Sequence, residues 1–437
     1  MRNKYIQTII MIIAISLVTV IVLKMKINKI NEVSSNSKKD ISIEKSDGEE
    51  NMDNKFIEDG EMRGVWLSTV NNLDWPEISS YNNKKLQKEL LKEKFDFIEE
   101  QNMNTIFFQV RPMGDALYKS TYAPWSKYLT GTLGKDPGYD PLEFAIDEAH
   151  KRGLELQAWF NPFRIDSNSE NFNIDSYIEE LPKGVSLKSN PDWIVKYNKY
   201  HYLDVGIPEV REYVINTIIE VVKGYDIDGV VLDDYFYPYP SDGLEFPDDD
   251  TYEKYGQEFE SKDDWRRNNV NIFISELYSK IKEIKSDIKF GVSPFGIWRN
   301  GESIGGSDTR GLSSYDDIYV DSKKWIQEGW IDYIIPQIYW QFDYGSAPFA
   351  TLVDWWAKQV ENTDVDLYIG HAVYKVNDLS YGESWLNEGE IINQIRYSRG
   401  NSNVKGSCFF RLKSLEENRI GFTDKLKELY VRKEYWQ

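Results

Sequence analysis

A single cysteine, Cys408, stands in the 437-residue chain. Neither an intrachain disulfide nor a cysteine-built zinc site is therefore available. Histidine is almost as scarce. His150, His201 and His371 lie far apart and form neither an HxxxH nor an HExxH spacing, which argues against a zinc hydrolase or a metal-dependent deacetylase. No metal or cofactor is expected. The segment 242–250 (DGLEFPDDD) is acidic but lacks the ligand alternation and glycine placement of an EF-hand loop, so it reads as a solvated loop. Positive charge is in deficit as well. With 52 Lys and Arg against 72 Asp and Glu, the formal charge is −20, which argues against nonspecific nucleic-acid binding and against adsorption of the folded part to an anionic membrane.

Aromatic residues, by contrast, are abundant. They make up 14% of the chain, with 14 Trp and 29 Tyr, and many lie in polar stretches beside Pro, Asp and Asn. Hydrophobicity is concentrated at the start, where residues 5–23 (YIQTIIMIIAISLVTVIVL) form an uncharged run of about the length that spans a bilayer as a helix. Arg2 and Lys4 precede it, and neither a small-x-small cleavage site nor a lipidated cysteine follows. Residues 1–30 are thus expected to be an uncleaved, single-pass signal anchor, with the bulk of the chain outside the cytoplasm. Lys24, Lys26 and Lys29 oppose this orientation under the positive-inside rule; the short basic stretch before a first apolar span decides it. Residues 31–60, rich in Ser, Asn, Lys, Asp and Glu, read as a flexible polar linker.

From Met62 the pattern becomes an alternation of short apolar runs and amphipathic stretches. Strands are expected at 62–69, 104–111, 155–161, 228–234, 289–294, 331–338, 366–372 and 405–411. Helices are expected at 86–101, 142–152, 208–223, 264–285, 322–328, 350–361, 387–399 and 415–430. Eight strands, each followed by a helix, imply a (β/α)₈ TIM barrel over residues 61–437. Whatever follows each strand then lies on the C-terminal face, where barrel enzymes hold their chemistry.

The fourth expected strand carries the most informative string, DGVVLDDYFYPYP (228–240). It runs directly into two carboxylates, Asp233 and Asp234, and then into Tyr235, Phe236, Tyr237 and Tyr239, whose flat faces suit stacking on sugar rings. Side chains alternate along a regular strand, so the two carboxylates are expected to point differently. Other strand ends supply Arg111 and Asp115, Asn161 and Arg164, Ser293, Gln337 with Tyr339 and Trp340, His371, and Arg411. Glycoside cleavage uses two carboxyl groups, and strands five and six end without one. Asp115 and Asp321 are the alternatives for a general acid, each equally suited to loop bonding or helix capping. Arg111, Arg164 and Arg411 suit either carboxylate-bearing sugars or ion pairs at the barrel mouth. His150 reads as structural, and His371 as a site-lining candidate.

The blocks RGVWLSTV (63–70), FFQVRPMGDALYKS (107–120), YAPWSKYLTG (122–131), GYDPLEFAIDEAHKRGLELQAWFNPFR (138–164), YLDVGIPEVREYV (202–214), DGVVLDDYFYPYP, GVSPFGIWRN (291–300) and WIDYIIPQIYW (330–340) together resemble the bacterial glycosyl-hydrolase-like family 10, over roughly residues 61–415. The resemblance implies a (β/α)₈ fold, an extracytoplasmic location and glycoside hydrolysis. Some relatives in that family act on peptidoglycan glycan strands stripped of their stem peptides. It also implies Gln109, Arg111, Asp115, Asn161, Arg164, Asp233, Asp234, Gln337, Tyr339 and Trp340 as site residues. Many members are lipoproteins, whereas this chain has no lipidation cysteine near its start. DGVVLD further resembles the corresponding strand of α-amylase-like barrels, which implies Asp233 as nucleophile or charge stabiliser and leaves Asp234 for positioning. The expected activity is hydrolysis of a cell-wall glycan, with a polysaccharide as partner. The competing reading is a non-catalytic glycan-binding barrel that scaffolds wall machinery.

Overall fold

The computed structural model describes residues 60–166, 172–241 and 243–430. The expected anchor and all of the linker but Gly60 lie outside these residues. Among the described residues, no helix is long and apolar enough to cross a membrane.

The strands in chain order are β1 (Met62–Leu67), β2 (Thr105–Arg111), β3 (Glu155–Phe160), β4 (Arg164–Asp166), β5 (Ile194–Tyr197), β6 (Tyr200–Leu203), β7 (Gly229–Leu232), β8 (Lys289–Val292), β9 (Tyr333–Ile334), β10 (Asp366–Ala372) and β11 (Val404–Phe410). Eight of them close into a barrel in the order β1-β11-β10-β9-β8-β7-β3-β2, every neighbouring pair parallel. These are the eight expected strands: six are shorter than expected, β10 matches its expected range, and β11 is shifted by one residue. Helices follow them at Lys84–Glu100, Pro141–His150, Pro208–Gly224, Lys262–Ile284, Ser322–Gln327, Phe349–Gln359 and Gly389–Arg399, and the last expected helix is split into Leu412–Glu416 and Phe422–Leu429.

Strand alternation sorts the side chains into two cores. One set, including Val65, Leu67, Ile106, Phe108, Leu156, Ala158, Val230, Leu232, Phe290 and Val292, packs outward against the helices. The other, including Trp66, Phe107, Trp159, Val231, Tyr333, Ile335, Tyr368 and Cys408, fills the barrel interior. Two interior positions are glycine because bulkier neighbours occupy their space. A Cβ on Gly291 would lie 2.0 Å from the Tyr333 ring, and one on Gly229 would lie 1.7 Å from Gln157 Oε1. The Tyr333 hydroxyl and Gln157 Oε1 are themselves hydrogen-bonded at 3.1 Å.

One feature departs from the expected pattern. The connection from β3 to the helix Pro208–Gly224 contains a three-stranded antiparallel sheet in the order β4-β6-β5. It brings Arg164 and Tyr200 to the barrel mouth.

Candidate active site

The C-terminal end of the barrel opens into a cavity of about 710 Å³. Its floor is the top layer of the interior core: the Trp66 indole stands edge-on to Trp159 at 4.9 Å and stacks on Phe107 at 4.5 Å. The wall is aromatic. Tyr235, Tyr239, Phe295 and Trp340 form a chain of edge-to-face contacts with ring centroids 5.8, 6.0 and 5.5 Å apart. Tyr339, Phe410 and Tyr374 continue it, at 6.1 to 6.2 Å.

Asp233 and Asp234 both line this cavity, against the expectation that they diverge. The reason is local. Strand β7 ends at Leu232, and the Asp233 carboxylate accepts the Tyr235 N–H at 3.4 Å, the bond of an Asx turn. Strand alternation no longer governs the residues that follow. Asp233 Oδ2 accepts from Trp159 Nε1 at 3.1 Å and from Asn161 Nδ2 at 3.4 Å. Asp234 Oδ2 accepts from the Tyr239 hydroxyl.

Both carboxyl groups are nearly sealed from solvent, at 5% and 2% exposure. Burial is the main force pushing Asp233 up to about 7, the nearby Asp234 charge adds to it, and Arg164 opposes it. Burial raises Asp234 as well, but the Tyr239 hydroxyl, its own backbone N–H and the Gln337 amide all favour its ionised form. The Arg164 guanidinium lies over the Tyr235 ring at 4.6 Å and is anchored to the Pro112 carbonyl at 3.2 Å.

Other expected site residues divide sharply. Gln109, Arg164, Tyr235, Gln337, Tyr339, Trp340 and Arg411 line the cavity. Gln109 spends its amide oxygen on the backbone N–H groups of Thr69 and Val70, each at 2.9 Å, and so shapes the loop after β1. Arg411 is tied to Asp74 Oδ1 at 2.6 Å and to the Leu73 carbonyl at 2.8 Å.

Asp115, Arg111, Asn161 and His371 are not among the cavity-lining residues. Asp115 is buried, its carboxyl raised by desolvation against the opposing pull of Ser126, Lys127 and Arg111; it belongs to the interior of the strand-two loop. Arg111 follows a register shift in the pairing of β2 with β3, which takes it out of the interior row that Phe107 and Gln109 share. It donates instead to the Met113 and Pro162 carbonyls, at 3.0 and 3.5 Å. Asn161 is buried beneath the site and acts through its bond to Asp233. His371 sits on the outward row of β10, stacked on Phe349 and Phe409 and bonded to Gln394 and Ser407 at 3.1 Å each. Burial pushes it down to about 4. Asp321 caps the helix Ser322–Gln327 and accepts from Trp298 Nε1 at 3.1 Å.

Several lining residues escape a reading of motifs alone: Trp66, Trp159, Tyr200, Tyr374, Lys375 and Phe410. For Trp66, Trp159 and Phe410 a signal exists. They share the two-residue register of interior positions on their strands, in step with Gln157 and Cys408. Nothing comparable marks Tyr200, on the inserted sheet, or Lys375, which ends the short 3-10 helix Val373–Lys375 after β10.

A parallel eight-stranded barrel, closed on itself and carrying a paired-carboxyl, aromatic-lined cavity at its C-terminal mouth, has the architecture of the barrel glycoside hydrolases. The family model Glycosyl hydrolase-like 10 matches residues 61–387, and the chain belongs to that family. It is 46% identical over 378 residues to Glycosyl hydrolase YngK of Bacillus subtilis, covering 86% of this chain and 72% of that protein. It is 43% identical over 364 residues to Glycosyl hydrolase DigH of Escherichia coli K12, covering 80% and 82%. Among solved structures, the glycoside hydrolase domain of PgaB (BpsB) from Bordetella bronchiseptica aligns with a TM-score of 0.55 at 10% identity, over 86% of this chain and 100% of that one. That likeness is one of fold.

Proposed function

We propose that this protein is an extracytoplasmic glycoside hydrolase that cleaves an N-acetylated cell-wall glycan, with residues 1–30 holding the barrel at the membrane. The observation that carries the reading is the paired Asp233 and Asp234 in one aromatic cavity. No other carboxylate among the described residues lines that cavity. Cleavage by two opposed carboxylates needs one on each side of the scissile bond. Here both come from adjacent positions on a single strand end, which suits the substrate-assisted route, in which the sugar's own acetamido oxygen attacks the anomeric carbon.

In this scheme Asp233 is the proton carrier rather than the nucleophile. A carboxyl group poised near 7 holds a proton at neutral pH and releases it readily. It protonates the glycosidic oxygen as the C–O bond breaks and the acetamido oxygen bonds to the anomeric carbon. Asp234, whose ionised form Tyr239 and Gln337 favour against the burial that raises it, accepts the acetamido N–H and in that form offsets the positive charge that develops on the ring. Water then attacks the anomeric carbon, the Asp233 carboxylate takes its proton, and the acetamido group is restored. The aromatic wall supports binding by stacking.

The soluble domain, incubated with glycan strands stripped of stem peptides, is expected to release fragments resolvable by mass, and Asp233→Asn to abolish the release. No new reducing ends, or release unaffected by Asp233→Asn, would refute the activity. Protease added to intact cells is expected to cut the barrel domain, and protection of that domain would refute the location.

A further inference from the structure

Three cations line the cavity: Arg164, Lys375 and Arg411. Arg164 faces the carboxyl pair, lowering both Asp233 and Asp234. Arg411 is neutralised by Asp74. Lys375 is different. Its ammonium donates to the Tyr339 carbonyl at 2.6 Å, and the rings of Tyr381, Trp385 and Tyr374 surround it at 4.9, 5.5 and 5.8 Å. Among the described residues it has no ion pair with a carboxylate. Burial alone pushes it down to about 8, with no neighbouring acid to restore it. A partly desolvated ammonium without a counter-ion is costly to the fold, and the cost is removed when an anion arrives.

Its position matters as much as its isolation. In the barrel order, β11 lies directly across from β7, four strands away in either direction, and β10 is next to it. The carboxyl pair thus stands on one side of the mouth, and Lys375, just after β10, stands on the far side. A glycan laid across the mouth with its scissile bond at Asp233 passes a neighbouring sugar over Lys375.

Resting on the reading of this cavity as a glycan site, we propose that Lys375 forms a subsite for a carboxylate carried on the sugar next to the scissile bond, making the enzyme selective for acidic glycans. A singly charged carboxylate fits better than a dianion. One ammonium faces the group, and the carboxyl pair Asp233 and Asp234 lines the same cavity. Tyr374 and Tyr381 flank the ammonium and supply faces for the ring that carries the acid.

The test measures binding rather than turnover. Calorimetric titration of the Asp233→Asn protein would use a wall-glycan oligosaccharide with free lactyl carboxylates and the same oligosaccharide with those carboxylates converted to primary amides. The acid is expected to bind about ten- to a hundredfold more tightly, the range for a hydrogen bond to a charged partner. Adding Lys375→Met is expected to make acid and amide bind alike, and Lys375→Arg to restore the preference. Equal binding of both forms before Lys375 is changed overturns the inference, as does a preference that survives Lys375→Met. Loss of both forms with Lys375→Met that Lys375→Arg does not recover also overturns it, since the lysine then serves only its loop. A Lys375-dependent preference in a protein whose unsubstituted form cleaves neither oligosaccharide leaves the subsite standing and sinks the hydrolase. Failure to bind either form sinks both.

Discussion

Replacing Asp233 with Asn should destroy activity and, above neutral pH, stabilise the protein. Its carboxyl is raised from 3.8 to about 7, chiefly by burial and then by Asp234. Between those two values the folded protein holds a proton that the unfolded chain has released. Folded molecules therefore bind more protons, and stability falls as pH rises through this window. At 1.36 kcal/mol per pH unit, the full cost above the folded pKa is roughly 4 kcal/mol. Integrating the same two values between pH 5 and pH 8 leaves about 2.5 kcal/mol of that cost inside an accessible range. Asn cannot ionise, and its amide oxygen can still accept from Trp159 Nε1. Removing the charge also relieves Asp234, which works in the same direction. The free-energy gain of Asp233→Asn over wild type should thus be about 2.5 kcal/mol larger at pH 8 than at pH 5. Urea unfolding at the two pH values, analysed at constant slope, reads this as a midpoint difference on the order of 1 M. An equal effect at both pH values, or a larger gain at pH 5, would refute the assignment of a buried, raised carboxyl at this position.

Three further outcomes follow from the same geometry. Wild-type kcat/KM should fall as pH rises through about 7, where Asp233 loses its proton; Arg164→Met, which removes the charge opposing that rise, should move the falling limb upward, and an unmoved limb in the pH profile would count against Asp233 as the acid. Tyr239→Phe removes the hydroxyl bonded to Asp234 and should lower kcat about ten- to a hundredfold, the equivalent of roughly 1.5–3 kcal/mol for a bond to a charged group, while leaving KM nearly unchanged in steady-state assays. Gly291→Ala forces a methyl within 2.0 Å of the Tyr333 ring and should cost about 1–3 kcal/mol of stability, visible in urea melts; an unchanged midpoint would show that the interior layer is looser than its packing implies.

Why the barrel was legible and parts of its mouth were not comes down to which forces act locally. Each barrel strand is a short apolar run buried on both faces, so composition alone marks it, and the helices carry their own periodicity. The inserted sheet has no such signature. Strand β4 is three residues long, and β5 and β6 are four each, paired antiparallel inside a connection that reads as loop. Its contributions to the site, Arg164 excepted, were therefore invisible. Asp115 and Arg111 show a second limit. Both sit in strings that resemble the family, and both are buried away from the cavity, Asp115 inside the strand-two loop and Arg111 on the Met113 and Pro162 carbonyls.

His371 shows a third limit, and one that a stricter use of alternation removes. Tyr368 belongs to the interior row of β10, so the residue three positions later must face the helices, as it does. The same parity places Trp66 with Ser68, Trp159 with Asn161, and Val231 with Asp233 on inward rows. At the barrel mouth it fails where pairing itself fails: at the register shift after Gln109 and past Leu232, where β7 stops. These two failures have opposite consequences. The first removes Arg111 from the cavity, and the second admits Asp234 to it. Had β7 continued two residues further, Asp234 would face the outer helices and the cavity would retain one carboxylate, too few for either route of glycoside cleavage. The early end of this strand, fixed by the Asx turn from Asp233 to Tyr235, is thus the structural condition for a paired site built from adjacent residues.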